Sequence, residues 1–110
     1  MDKTLALAAL SALGQSTRLD VFRLLVTAGP EGMAAGQIAE SLGIRQNTMS
    51  TNLTVLLNAG LVTNERDGRS VRYMANMDRM RDLLGFLLED CCRGQPELCQ
   101  PILARLAFEC

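Results

Sequence analysis

The chain has 110 residues, 48% hydrophobic and 21% charged, with 11 Lys+Arg against 12 Asp+Glu, four Cys, and neither His nor Trp. That length predicts a single domain spanning 1–110, with a core that needs no disulfide or metal staple, and no run approaches the roughly 18 apolar residues of a membrane span. A formal net charge of −1 excludes nucleic-acid binding by bulk charge, and the absence of histidine removes His-based acid–base and nucleophile chemistry and every His-containing zinc site.

Met1-Asp2-Lys3 ahead of Leu5 to Leu13 has the length of a signal-peptide core, but Asp2 spoils the basic flank and no small-x-small cleavage site follows. The expected compartment is therefore the cytoplasm, with no membrane association. Thiols stay reduced there, so clustered Cys points to soft-ligand binding or redox sensing rather than to structural disulfides.

Leu5, Ala8, Ala9, Ala12 and Leu13 recur at helical spacing up to Gly14 and predict a short first helix. Ser16 is the expected N-cap of a second, with Leu19, Phe22, Leu25 and Val26 on its inner face. After the break at Gly29-Pro30-Glu31-Gly32, a short helix over 35–42 is closed by Gly43. Another spans about 46–58, with Met49, Leu53, Leu56 and Leu57 buried. Two short helices joined by a Gly-containing turn outline a helix-turn-helix.

Beyond Gly60 the period changes from 3.6 to 2. Asp67-Gly68 separates the alternating segments 61–66 and 69–75, a strong hairpin signal. The expected fold is mainly α with a β-hairpin wing, a winged helix-turn-helix. A last long helix is expected from Met77 to about Cys92, and the tail 101–110 has the pattern of one more short helix. The apolar arc of that last long helix (Met80, Leu83, Leu84, Leu87, Leu88 and Cys91, with Phe86 added) is wider than one small core needs, and the first helix is similarly rich in Leu and Ala. A second surface must cover them.

A helix that reads the major groove needs exposed hydrogen-bonding side chains near its N-terminal end. With Met49 and Leu53 inward, the outer face of the fourth helix is Gln46, Asn47, Ser50, Thr51, Asn52 and Thr54, next to Arg45 and Thr48. Gln and Asn suit adenine edges, while Ser and Thr suit phosphates or bases. Residues 43–73 hold Arg45, Arg66, Arg69 and Arg72 against Glu65 and Asp67, a local excess of +2 in a chain whose total is −1. Three of these arginines, with Tyr73, fall on the wing, where they can reach phosphates or a minor groove. Double-stranded DNA is the expected partner.

Cys91 and Cys92 are adjacent, and Cys99 follows across Arg93-Gly94-Gln95-Pro96-Glu97-Leu98. On an unbroken helix Cys92 and Cys99 would lie roughly 10 Å apart at about 1.5 Å rise per residue, too far for one metal centre. Gly94 and Pro96 allow the chain to turn back and bring the sulfurs together. Three thiolates without histidine favour a thiophilic ion content with three ligands, and As(III) or Sb(III) fits. Zinc or cadmium would need a fourth ligand such as Cys110. Redox sensing, with Cys99 forming a disulfide to Cys91 or Cys92, is the alternative.

The segment Leu19-Asp20-Val21-Phe22-Arg23-Leu24-Leu25, the Gln37-Ile38-Ala39-Glu40 helix, Thr48-Met49-Ser50 and Leu53 through Val62, with the Arg66-Asp67-Gly68-Arg69 wing and Tyr73, resemble the ArsR/SmtB family of metal-responsive winged-helix repressors. The likeness runs over about 5–93. It implies a homodimer joined through the first and last helices, which would cover the extra apolar surface. Similarity to the arsenic-responsive branch with a Cys-Cys…Cys arrangement implies an arsenite or antimonite site at Cys91, Cys92 and Cys99, within a segment 91–99. It also implies repression of an arsenic-resistance operon, relieved when the metalloid binds. The chain departs from the family's zinc sensors in having no His, and from members with a Cys-x-Cys box in having no Cys within 33–57. An enzyme is not expected, because the chain lacks a Cys-x-x-Cys motif, a phosphate-cradling loop and a helper base.

Overall fold

The structure, a computed structural model, describes residues 1–89 and 96–109. In chain order it contains α1 (Lys3–Leu13), α2 (Ser16–Ala28), β1 (Met33–Ala34), α3 (Ala35–Leu42), α4 (Gln46–Asn58), β2 (Val62–Asp67), β3 (Ser70–Ala75), α5 (Met77–Leu87) and α6 (Gln100–Glu109), with 3-10 turns at Gly29–Glu31 and Pro96–Leu98.

Local chemistry sets most of these boundaries. Asp2 caps α1 by accepting from the Leu5 N–H at 2.8 Å. The cap of α2 is Gln15 rather than Ser16: its Oε1 accepts from the Arg18 N–H at 2.9 Å, and Ser16 is the first helical residue. The inner face of α2 is correspondingly turned. Val21, Phe22 and Leu25 are buried, whereas Leu19 and Val26 are exposed. Gly43, in the left-handed region at φ +66°, closes α3 by donating to the Ala39 and Glu40 carbonyls.

The core lies between α2, α3, α4 and the base of the wing. Val21, Leu25, Ile38, Met49, Leu53, Leu56, Leu61 and Val62 are its largest fully buried members, each contributing roughly 1.5–3 kcal/mol by leaving water. From α1 the buried residues that join it are Ala6, Ala9 and Ala12, and from α5 Leu83, with Leu13, Met80 and Phe86 packed half-buried against it. Small residues let α1 lie close to the body while Leu5, Leu7 and Leu10 point elsewhere.

The sheet is antiparallel in the order β1-β3-β2. Asp67 pairs with Ser70, so the two-residue hairpin loop is Gly68-Arg69 rather than Asp67-Gly68, and Gly68 supplies the positive φ of +64° that primed turns demand. The third strand, β1, pairs Met33 with Tyr73 and Ala34 with Arg72. At two residues it is too short to carry a periodic signal. Gly32 leads into it at φ +66°, and a Cβ there would sit 2.3 Å from the Tyr73 carbonyl oxygen, so only glycine fits.

Asn76 caps α5 by accepting from the Arg79 N–H at 3.2 Å. The helix stops at Leu87, short of the expected Cys92, in a turn where the Glu89 N–H reaches the Phe86 carbonyl. Glu89 and Asp90 are acids that a helix C-terminus disfavours. Among the described residues no helix is long and apolar enough to cross a membrane. Leu5, Leu7 and Leu10 of α1, Leu84 and Leu87 of α5, and Leu103 and Leu106 of α6 stay exposed.

Candidate nucleic-acid interface

Helix α4 follows α3 across Gly43-Ile44-Arg45, and its buried stripe is Met49, Asn52, Leu53 and Leu56. Those positions are i, i+3, i+4 and i+7, one side of a helix. The opposite side exposes Gln46, Asn47, Thr48, Ser50, Thr51 and Thr54, with exposed Arg45 in the N-cap position. Three of these side chains are partly engaged with their own helix. Asn47 Oδ1 accepts from the Thr48 N–H at 2.8 Å, and the Thr51 and Thr54 hydroxyls donate to the Asn47 and Ser50 carbonyls at 3.1 and 2.9 Å. Both threonine oxygens therefore keep lone pairs for a donor such as an adenine or cytosine amine, and the Asn47 amide keeps its N–H₂ for an acceptor. Gln46 Nε2 lies over Gly36 of α3, where a Cβ would be 3.4 Å away.

Asn52 corrects the expected outer face. It is 7% exposed, and its Oδ1 accepts from Arg18 Nη1 at 3.3 Å. The spacing from Met49 to Leu56 already places position 52 on the core stripe; its polar side chain hid this. Arg18 was missed entirely, because its partners are distant in sequence: Nε donates to the Ala12 carbonyl at 2.6 Å as well.

The wing arginines divide into two kinds. Arg66 and Arg69 are exposed and, like Arg45, have no ion-pair partner among the described residues. Arg72 is instead committed to the fold. Its Nε donates to the Glu31 carbonyl at 2.7 Å and its Nη2 to the Gly32 carbonyl at 3.3 Å, tying the sheet to the turn after α2. Tyr73 is half-buried against the core, so its ring is a packing element. Both residues of the expected DNA face are thus also engaged within the fold, Arg72 by backbone carbonyls and Tyr73 by packing.

A second polar junction joins α4 to α5. Asn76 Nδ2 donates to the Gly60 carbonyl at 2.9 Å, the Asn76 N–H to the Leu61 carbonyl at 2.8 Å, and the Arg79 guanidinium lies against Gly60. Gly60, at φ +77°, provides the room.

Of the expected thiol site, Cys91 and Cys92 lie outside the described residues, as does Cys110. Cys99 is described and is disulfide-bonded. It lines an apolar groove with Leu84, Gly85 and Leu88 on one side and Leu103 and Leu106 on the other. Residue 99 thus lies alongside α5, while Gly94 falls outside the described residues. Among the described residues no group of three or more Cys, Asp or Glu is placed to hold a metal ion.

A helix-turn-helix domain family matches residues 13–65. The nodulation protein NolR of Rhizobium meliloti is 33% identical over 86 residues, covering 78% of this chain and 68% of that one. A Halobacterium salinarum protein that bears the name "Putative arsenical resistance operon repressor ArsR2" is 34% identical over 88 residues, 80% of this chain and 71% of that one. Among solved structures, the homodimeric winged helix-turn-helix DNA-binding domain of Mb0332 from Mycobacterium bovis superimposes with a TM-score of 0.64 at 27% identity, covering 79% of this chain and 81% of that one. With a polar helix-turn-helix face beside a cationic wing, and with relatives of this kind over most of its length, the chain belongs to the ArsR family of winged-helix, DNA-binding transcriptional regulators.

Proposed function

We propose that the protein is a cytoplasmic, homodimeric repressor whose α4 enters successive major grooves of a pseudo-palindromic operator, and that As(III) or Sb(III) bound by Cys91, Cys92 and Cys99 releases it. The observation that carries the inducer half is the donor set: three cysteines within nine residues after α5 and no histidine anywhere in the chain. Such thiolates suit a three-coordinate thiophilic ion. The placement of Cys99 beside Leu84 sets residue 99 next to an exposed leucine of α5, which a second copy would cover. Two relatives whose names read "Putative arsenical resistance operon repressor" support the same reading.

On this reading Gln46, Asn47, Thr48, Ser50, Thr51 and Thr54 face base edges and nearby phosphates, while Arg45, Arg66 and Arg69 hold phosphates. Two reading helices must match half-sites about 34 Å apart, so a small change at the seam between subunits alters their fit. Linkage requires the metalloid to bind free protein more tightly than operator-bound protein by the factor with which it weakens DNA binding, and a factor of ~100 corresponds to about 2.7 kcal/mol. Thiol protons leave on binding, so metalloid affinity rises with pH through the thiol range.

The test is titration of a labelled operator complex with arsenite under reducing conditions. Cys92→Ser and Cys99→Ser proteins should hold DNA as the wild type does and fail to let go; release at wild-type arsenite concentrations from both would overturn the site. The disulfide at Cys99 favours a second reading, a thiol-redox repressor. Two thiols then lose two protons and two electrons to a peroxide, which becomes two waters, and the new S–S bond changes operator affinity. Peroxide-driven release that dithiothreitol reverses, with no response to arsenite in the reduced protein, would select it.

A further inference from the structure

We propose that Arg18 is a positioning residue for the reading helix: it ties α4 to the C-terminal turn of α1, so that DNA affinity depends on how α1 is seated. The proposal rests on α4 being the groove helix. Arg18 Nε donates to the Ala12 carbonyl at 2.6 Å and Nη1 to Asn52 Oδ1 at 3.3 Å. Its own N–H is held by Gln15 at 2.9 Å. Ala12 lies in the last turn of α1, where carbonyls lack helical partners and carry the negative end of the helix dipole, so a guanidinium is well matched there.

No carboxylate pairs with Arg18 among the described residues. Its charge is answered by a carbonyl of α1 and the amide of Asn52, the one polar residue of the described part that is buried. A planar guanidinium holds both acceptors in fixed relative positions, which a point-charge ammonium does not. The buried part of the α1 contact is otherwise made by Ala6, Ala9 and Ala12, with Leu13 half-buried at its end, and the three alanines are small side chains that offer little resistance to sliding. Withdrawal of the Ala12 carbonyl would therefore strand the guanidinium and loosen Asn52, on the turn of α4 that also carries Thr51 and Thr54. The exposed leucines of α1 provide the surface through which such a shift would be imposed.

The experiment compares wild type with Arg18→Lys, Arg18→Met, Asn52→Leu and the double variant Arg18→Met with Asn52→Leu. Affinity is measured for an operator that the wild type selects from random duplexes and, at low salt, for a random duplex. Amide hydrogen exchange is followed over 46–58. The expected result is a tenfold or greater loss of operator affinity in each single variant, random-duplex affinity within about twofold of wild type, faster exchange in α4, and a double variant no weaker than the weaker single. Equal losses on both DNAs would reduce Arg18 to a charge, and additive losses would remove the coupling to Asn52; either overturns the proposal. Should the Met and Leu variants not fold, Arg18→Lys decides. Operator loss at an unchanged unfolding midpoint supports the tie, and wild-type affinity and exchange refute it. A wild-type protein that selects no operator overturns the DNA reading itself, and this proposal with it, whereas losses confined to the variants leave that reading standing.

Discussion

Leucines of similar count meet opposite fates in the two halves of the molecule. In α4 and its neighbours Leu25, Leu53 and Leu56 are at most 1% exposed, whereas Leu7 of α1, Leu87 of α5 and Leu103 of α6 are 55%, 49% and 55% exposed. The region from α2 to the wing closes a core within one chain. The flank built from α1, α5 and α6 contributes alanines and Leu83 to that core, with Leu13, Met80 and Phe86 packed half-buried against it, and leaves Leu5, Leu7, Leu10, Leu84, Leu87, Leu103 and Leu106 exposed. Hydrophobic composition thus predicts what must leave water, not whether the same chain supplies the cover.

The sharpest way to break this contrast is to damage the closed half. Leu53→Ala should cost about 4 kcal/mol of unfolding free energy by transfer loss and an unfilled cavity, read by chemical denaturation at any protein concentration. A result below about 1 kcal/mol would mean that the core is less complete than its burial implies. Next in size is Gly32→Ala, expected to cost about 3 kcal/mol because strain at positive φ adds to a clash with the Tyr73 carbonyl. Gly29→Ala shares the positive φ but meets no atom within 4 Å, and should cost only about 1 kcal/mol. Equal costs would show that the close approach of β3 to the turn is not what fixes Gly32.

The open half should behave differently. Leu84→Glu combined with Leu87→Glu should leave the unfolding midpoint of dilute protein nearly unchanged and weaken self-association at least tenfold, about 1.4 kcal/mol, as measured by sedimentation. A large loss of intrinsic stability with no change in association would erase the distinction between the two halves.

The closed half was also the more legible one. Gly43, the 46–58 periodicity and the change of period at Gly60 are local signals, and α3, α4 and the wing lie where they point. What sequence reading missed is non-local or too short to show a period. Met33–Ala34 becomes a strand only because β3 presents an edge to it. Arg72 is consumed by two backbone carbonyls some forty residues earlier. Asn52 looked solvent-facing because it is polar, yet its spacing from Met49 and Leu56 placed it inside, and the buried partner that makes this tolerable, Arg18, lies on another helix. In the open half the pattern of the tail marks α6, while α5 ends at Leu87, short of the expected Cys92 and just ahead of the acids at 89 and 90.

The smallest expected effect separates arginines that chemistry alone makes equivalent. Arg66→Ala and Arg69→Ala should each lower the slope of log affinity against log salt by about one, the signature of one lost phosphate contact, and leave the unfolding midpoint in place, because neither side chain has an ion-pair partner among the described residues. Arg72→Ala should do the reverse. Removing its two bonds to the Glu31 and Gly32 carbonyls should cost about 1–3 kcal/mol of stability while the salt slope stays put. If Arg72→Ala instead flattened the slope as Arg66→Ala does, the guanidinium would have to leave those carbonyls on meeting DNA. The wing would then be remodelled by its partner rather than preset by the turn after α2.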